Sequence, residues 1–192
     1  MKKRLLFLLG AGALTLVMSS CWALQSFTVL DYTLTPGQAT KARFSLRPYD
    51  TASPANNLQF VIIGVPTGGD ITAGKATWGT NGFFGGPLTM NVSAGFAAAM
   101  GNKCSSNGLD FSTITGVTWK AYLTPVSIRD RGHVEKKAIV DVVVKAKATA
   151  TTGTNSTIWG VPGRYQDDGD GILNSADSFQ CWGLATSAVY VQ

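Results

Sequence analysis

The chain has few of the residue types that most catalytic and zinc sites use. Its 192 residues include one histidine, His133, and one glutamate, Glu135. A Ser-His-Asp triad would have to use His133, which lies in the charged stretch RDRGHVEKK and is expected to face solvent. A glycosidase needs two carboxylates that flank the scissile bond, and no carboxylate spacing here selects such a pair. We therefore expect a protein that is not an enzyme.

Long apolar runs and dense positive charge are also missing. The apolar run at residues 5–17 is shorter than the roughly 20 residues of a membrane-spanning helix. The formal charge of +5 falls to +2 when Lys2, Lys3 and Arg4 are set aside, and no basic stretch interleaved with aromatic residues remains. Nucleic-acid binding is therefore not expected. The glycine-rich stretch GTNGFFGG precedes Pro87 rather than a helix, which excludes a nucleotide-binding loop.

Residues 1–21 have the order of an export signal: three cations, a short apolar run and an end made of small residues. The end of this stretch, Met18-Ser19-Ser20-Cys21, resembles bacterial lipoprotein leaders, in which Leu, then Ala or Ser, then Gly or Ala precede a lipid-modified cysteine. Met18 stands where that family has Leu. The resemblance implies that Cys21 carries acyl chains, and two or more chains anchor a domain stably to a bilayer. Cleavage after Ala23 would instead give a secreted soluble protein.

Composition and periodicity predict an all-β chain. Gly, Thr, Ser, Val and Ala are plentiful, and strong helix formers other than Ala are few. In residues 41–48, Ala42, Phe44 and Leu46 alternate with polar residues, which predicts a half-buried antiparallel strand. Residues 58–66 are denser in apolar side chains, which favours a central strand. Further strand-like runs lie at 26–34, 88–94, 113–125, 134–150 and 179–191.

About seven or eight short strands at this spacing predict an immunoglobulin-like, two-sheet antiparallel sandwich. A parallel α/β fold is not expected, because no amphipathic helices alternate with the strands. The expected organisation is a signal peptide at 1–20, an anchor or linker at 21–25, and one β-sandwich domain at 26–192. A long glycine-rich loop at 67–87 and an acidic loop near the C-terminus interrupt the strand pattern.

The cysteines agree with export. Cys21 is either lipidated or removed, which leaves Cys104 and Cys181 in the body of the protein. An even pair in an exported chain predicts a disulfide bond, and the alternative is two free buried thiols. Two cysteines and one histidine are too few for a cysteine-based zinc site.

The segment QDDGDGILNSADSFQC at residues 166–181 holds four aspartates. Its spacing resembles the calcium loops of thrombospondin type 3 repeats, dockerins and EF-hands. The resemblance implies a structural Ca²⁺ ion with Gln166, where the family has Asp, at the first ligand position. The further ligands would be Asp168, Asp170, the carbonyl of Ile172, Asn174 and Asp177. The neutral amide and the short Asp177 predict weak affinity, in about the 10⁻⁴–10⁻³ M range of extracellular modules. The alternative is an ordinary solvated turn.

Aromatic residues form a second candidate site. Trp78, Phe83 and Phe84 lie in the glycine-rich segment, and Trp159, Tyr165 and Trp182 flank the acidic loop. Apolar rings with a few polar groups can form a platform for a ligand such as surface polysaccharide. The alternative is that these rings pack inside the sandwich.

Together these patterns predict an exported, lipid-anchored cell-envelope protein with a structural or protein-interaction role. The alternative function is an extracellular carbohydrate-binding module with a structural calcium ion. Expected partners are the membrane, through the lipid on Cys21, and other envelope proteins or surface polysaccharide. Fold class by itself does not decide between these functions.

Overall fold

The computed structural model describes residues 24–46, 57–79, 88–89, 91–93, 104, 113–124, 138–166 and 178–192. These ranges contain twelve β-strands. Their bounds are β1 Leu24–Val29, β2 Thr33–Leu34, β3 Ala39–Leu46, β4 Asn57–Pro66, β5 Ile71–Gly79, β6 Leu88–Thr89, β7 Asn91–Ser93, β8 Val117–Leu123, β9 Ala138–Ala146, β10 Thr154–Gln166, β11 Ser178–Cys181 and β12 Ala185–Val191. Among the described residues, no helix is both long and apolar enough to cross a membrane.

The strands form two sheets. Sheet A has the order β1-β3-β9-β5-β6, and sheet B has the order β2-β12-β10-β4-β8-β7, with β11 also paired to β10. The described ladders are antiparallel except the one between β2 and β12, where Thr33 lies opposite Tyr190 in a parallel pair. The predicted all-β, immunoglobulin-like two-sheet sandwich is confirmed. The strand number exceeds the prediction because ladders as short as β2 and β6 leave no periodic signal in the sequence.

The core lies between the two sheets and follows the predicted alternation. Ala42, Phe44 and Leu46 of β3 are fully buried, and β9 buries every second residue from Ala138 to Ala146. The rings of Phe27 and Phe44 pack with centroids 4.6 Å apart against the bare backbone of Gly160, where an added Cβ would lie 2.7 Å from a Phe44 ring carbon. Glycine at this position therefore allows sheet A to approach sheet B closely.

Strand β5 lies inside the stretch 67–87 that the sequence predicts as a loop, so that prediction is wrong for Ile71–Gly79. The register of β5 shifts between Ala73 and Ala76, and this bulge hides the two-residue period. Side chains of β8 satisfy the carbonyls in the bulge. Tyr122 Oη donates a hydrogen bond to Gly74 O at 2.6 Å, and Lys120 Nζ donates to Ala73 O at 3.2 Å. Burial raises the pKa of Tyr122 above its ordinary value.

Strand β10 is the longest described strand, with 13 residues, although the sequence favours the stretch at 134–150. Gly160, Pro162 and Gly163 weaken its strand pattern. One edge of β10 pairs with β12 as far as Gly160 and with β11 from Gly163 onwards. Pro162 lies at the break between these partners, and its carbonyl accepts from Trp182 N–H at 2.9 Å. No ladder N–H is needed at this point, so proline is tolerated there.

The two ends of the sandwich differ in which strands begin and end there and in the connections that they carry. At one end, which we call the leader end, β1, β4, β9 and β11 begin and β3, β5, β8 and β10 end. The opposite end, the turn end, carries the short connections 35–38, 67–70 and 147–153. Strand β1 already begins at Leu24, two residues before the predicted domain boundary at 26.

Candidate functional site

The predicted disulfide bond between Cys104 and Cys181 is confirmed, with a Cα–Cα distance of 5.6 Å across a sequence separation of 77 residues. Cys181 is the last residue of β11, and Cys104 is fully buried. The bond therefore joins Cys104 to the end of β11, which pairs with β10 in sheet B.

This outer face of sheet B carries a second apolar cluster, separate from the core between the sheets. Phe60 and Ile62 of β4 point into it, whereas their neighbours Val61 and Ile63 point into the core, and all four are fully buried. Both faces of β4 are thus covered, which confirms the predicted central strand. Other members of the outer cluster are Cys104, Ala121, Val161 and Tyr165, with Ile114, Trp119, Leu123, Phe179 and Leu184 partly buried against them. Because its central side chains are buried, this face is not a free docking surface.

The predicted aromatic platform is not supported at Trp78. This residue is fully buried in the core, in register with Val140 of β9. A ring that packs between two sheets cannot present its face to a ligand, so Trp78 is a core residue. Phe83 and Phe84 lie outside the described residues.

The other aromatic candidates are divided between buried and half-buried positions. Tyr165 and Trp182 are buried. Trp159 is half-buried, and its ring centroid lies 6.5 Å from that of Trp119. Trp119 in turn lies over Gly64, where an added Cβ would come within 2.7 Å of the indole.

Most residues of the predicted lipid and calcium sites lie outside the described part of the chain: Cys21, Asp168, Asp170, Ile172, Asn174 and Asp177. Gln166, the first predicted calcium ligand, is the last residue of β10 and lies opposite Asn57 on one side and Ser178 on the other. Across the ranges that the structure describes, no group of three or more His, Cys, Asp and Glu side chains comes together.

The large apolar side chains that remain exposed in the described residues meet in one region. Leu30, Tyr32 and Tyr190 are 45%, 70% and 42% exposed. They lie where β1 of sheet A meets β2 and β12 of sheet B, towards the turn end. Exposed apolar side chains that lie together on a surface make this region the candidate interaction site.

A groove of about 400 Å³ lies between Tyr32 and Tyr190. Its other lining residues are Thr28, Val29, Asn155, Ser187 and Ala188. Tyr190 pairs with Asn155 of β10 on one side and with Thr33 of β2 on the other. We call this concavity the tyrosine groove, and no residue that lines it in the described chain carries a formal charge.

Two hydrogen bonds donated by backbone N–H groups fix the shape of the tyrosine groove. Tyr190 N–H donates to Tyr32 O at 2.6 Å, which holds the two tyrosines together. Val29 N–H donates to Ser187 Oγ at 3.3 Å, which ties the edge of sheet A to sheet B. The groove is therefore built from strands that the fold already holds in place.

A second, smaller concavity at the turn end has a different character. Its volume is about 240 Å³, and Lys120, Lys147 and Thr118 are among the residues that line it. Thr118 Oγ1 shares a 2.8 Å hydrogen bond with Thr67 Oγ1 at its rim. Two lysines make this pocket cationic, whereas the tyrosine groove is uncharged.

The outer face of sheet A carries a compensated charge cluster. Arg43 Nε and Nη2 donate to the two carboxylate oxygens of Asp141 at 2.7 and 2.8 Å, and Lys41 Nζ lies 3.4 Å from Oδ2. Burial alone would raise the pKa of Asp141, but the hydrogen bond and charge of Arg43, together with Lys41, lower it below its ordinary value. The hydrogen bond to Asp141 raises the pKa of Arg43. This geometry is that of a structural cross-strand ion pair.

Sequence reasoning did not identify the tyrosine groove. Tyr190 occupies an outward position in the alternation of β12, and this signal could have marked it as exposed. Its proximity to Tyr32 and Thr28 could not have been found in this way, because it depends on the parallel β2–β12 pair and on the meeting of β1 with β12.

Comparison with known proteins gives only distant structural likenesses. No family model matches the chain, and no curated protein matches it. The sixth cohesin of Acetivibrio cellulolyticus scaffoldin B, in complex with a Cel5 dockerin, is similar with a TM-score of 0.44 and 10% identity, over 87% of this chain and 98% of that one. The major pilin subunit of Bacillus cereus gives 0.42 and 8%, over 85% and 39%. AvmM, which catalyses macrocyclization in alchivemycin A biosynthesis, gives 0.45 and 11%, over 87% and 88%. No functional inference rests on these likenesses.

Proposed function

We propose that this chain is an exported, lipid-anchored cell-envelope protein whose β-sandwich acts as a binding module. The observation that carries the proposal is the disulfide between Cys104 and Cys181 behind a leader of export type, because stable disulfides form in oxidising compartments. The concentration of exposed rings at the tyrosine groove supports a role in binding rather than a purely structural one.

The start of β1 supports an orientation on the membrane. Leu24, three residues after Cys21, is already paired with Leu46 in sheet A. Three extended residues span about 10 Å, so acyl chains on Cys21 would hold the leader end close to the bilayer. The turn end and the tyrosine groove would then face away from the membrane.

The state of Cys21 tests the anchor. We expect intact-mass analysis of the membrane fraction to find the mature chain beginning at an acylated Cys21, and Cys21→Ser to move the protein into the soluble fraction. An unmodified mature protein that begins after Cys21 contradicts the anchor. Accumulation of the wild-type protein in the cytosol contradicts export itself.

Crosslinking in the intact envelope tests the binding role. We expect reproducible crosslinks from residues near the turn end to an envelope protein or to surface polysaccharide, identified by mass spectrometry. The matched comparison places the crosslinker at Lys75, which is exposed in the middle of β5 and is separated from β1 by β3 and β9 in sheet A. Equal labelling from both positions, or none from either, contradicts a specific binding surface.

We also propose that the acidic loop binds calcium in a structural role. The antiparallel pairing of β10 and β11 supports this, since Gln166 lies opposite Ser178, the residue that follows Asp177. The first and last predicted ligands therefore belong to neighbouring strand ends, as a loop wound round one ion requires. Gln166 would offer its amide oxygen, and the four acidic or amide side chains that follow, together with the carbonyl of Ile172, would supply the rest.

Thermal unfolding tests calcium binding. At a few millimolar calcium and a submillimolar dissociation constant, we expect about 1 kcal/mol of stabilisation and a rise in melting temperature of about 2–4 °C. Asp170→Asn should abolish this rise, whereas Asp31→Asn, far from the loop, should retain it. Identical melting curves in calcium and in chelator would rule out the site.

A further inference from the structure

We propose that the tyrosine groove is a binding site for a neutral sugar ring of a surface polysaccharide. This inference rests on the binding role proposed above and names its ligand class. The groove has a volume of about 400 Å³, within the range of about 300–1,000 Å³ typical of small-ligand sites. It can therefore hold a single ring with part of its neighbour.

The charge of the lining selects a neutral ligand. Among the described residues, no charged side chain lines the tyrosine groove. An ionised ligand would lose water there without gaining a charged partner, which is unfavourable. The cationic pocket that Lys120 and Lys147 line is the better place for an anion.

The chemistry of the lining matches a hydroxylated ring. The two tyrosine rings offer apolar faces for the C–H groups of a sugar. The Asn155 amide both donates and accepts hydrogen bonds, as do the hydroxyls of Thr28 and Ser187. A sugar ring presents these two types of group together, on its faces and around its rim.

The backbone of the groove disfavours a peptide that adds as an extra strand. Strand addition requires unpaired main-chain donors at a sheet edge. At the groove, Val29 N–H already donates to Ser187 Oγ and Tyr190 N–H already donates to Tyr32 O. These donors are therefore used within the fold, and recognition falls to the side chains.

Glycan binding by the full mature protein tests the inference. The probes are arrayed oligosaccharides of neutral hexoses, of N-acetylhexosamines and of uronates, with affinities then measured by titration. We expect neutral glycans to bind, with at least a tenfold loss of affinity in Tyr32→Ala and in Asn155→Ala. Tyr32→Phe keeps the ring and should lose less than Tyr32→Ala. Because Tyr32 is 70% exposed, these variants should fold, and their melting curves check this.

Two control variants separate the tyrosine groove from its surroundings. Leu30→Ala removes a neighbouring exposed apolar side chain that does not line the groove, and Lys147→Ala alters the cationic pocket. Neither should change neutral-glycan affinity. The inference is overturned by binding only to uronates, by neutral-glycan binding that survives Tyr32→Ala, or by the absence of glycan binding. These results would leave acylation of Cys21 and envelope location intact, so failure here is distinguishable from failure of the proposed function.

Discussion

The outer faces of the two sheets carry different kinds of side chain: sheet A presents charged and polar groups, whereas sheet B carries a buried apolar cluster. On sheet A, outward positions are polar or half-exposed, and Arg43, Lys41 and Asp141 neutralise one another across strands. On sheet B, the central outward residues of β4, Phe60 and Ile62, are fully buried in an apolar cluster that includes Cys104 of the disulfide. Sheet A can therefore face water directly, whereas the outer face of sheet B is an apolar cluster that contains a disulfide bond.

The difference teaches where the stability of this sandwich is vulnerable. A half-buried sheet loses little when one surface pair is broken, because water can solvate the remaining groups. A sheet with two apolar faces exposes a large hydrophobic area to water when the cluster on its outer face opens. Changes to sheet B and its contacts should therefore cost more than changes to the outer face of sheet A.

The largest effect is expected from loss of the disulfide. Replacement of Cys104 and Cys181 by Ala should lower the free energy of unfolding by about 4 kcal/mol, because the bond closes a long loop. The melting temperature should fall by about 10 °C, and binding of a hydrophobic dye should rise as the outer face of sheet B opens.

Reduction provides the matched control for this variant. A reductant should lower the melting temperature of the wild-type protein and leave that of the double variant unchanged. A wild-type protein that melts at the same temperature with and without reductant would show that packing alone holds the outer cluster of sheet B together.

A smaller effect is expected when a methyl group is added at a glycine that packs against an aromatic ring. Gly160→Ala places a Cβ against the rings of Phe27 and Phe44, which are buried on all sides, and should cost about 2 kcal/mol. Gly64→Ala meets the half-buried side chains of Trp119 and Val117 on the outer face of sheet B, which are less confined than the two core rings. Its cost should be about 1 kcal/mol. Denaturant unfolding measures both, and a larger cost at Gly64 would contradict this ranking.

The smallest effects are expected on the outer face of sheet A. Because the pKa of Asp141 is lowered in the folded state, its contribution is present above the ordinary value near 4. That contribution is lost as pH falls through the lowered pKa. Asp141→Asn should therefore cost about 0.5–1 kcal/mol at neutral pH and flatten the acid dependence of stability below about pH 4.

Lys41 offers the matched comparison for this ion pair. Its side chain is about half exposed and lies 3.4 Å from Asp141, so Lys41→Ala should cost only about 0.5 kcal/mol or less. Unfolding free energies measured from pH 3 to 7 check both variants. An acid dependence in Asp141→Asn as steep as that of the wild type would show that other carboxylates carry it.

A feature of the fold could be predicted from the sequence when its pattern lies within one short segment of the chain. The alternation in β3 and β9 is a local property, and both strands bury the predicted residues. The even cysteine pair likewise predicted the bond between Cys104 and Cys181. Strand β5 was missed because a bulge breaks its period. The sequence left two alternatives open for Trp78, a ligand platform or a packed ring, because a glycine-rich neighbourhood says little about which sheet face a ring joins; the structure places it in the core.

The sequence by itself determined the all-β class, the half-buried strands of sheet A and the disulfide pair, because each depends on residue type and short-range period. Only the tertiary structure decided that sheet B is apolar on both faces and that Tyr32, Tyr190 and Asn155 line one groove. Those features depend on strands far apart in the chain, such as the parallel β2–β12 pair and the meeting of β1 with β12. Residues that share a site through such pairings have no fixed spacing in the sequence, so no local pattern can reveal them.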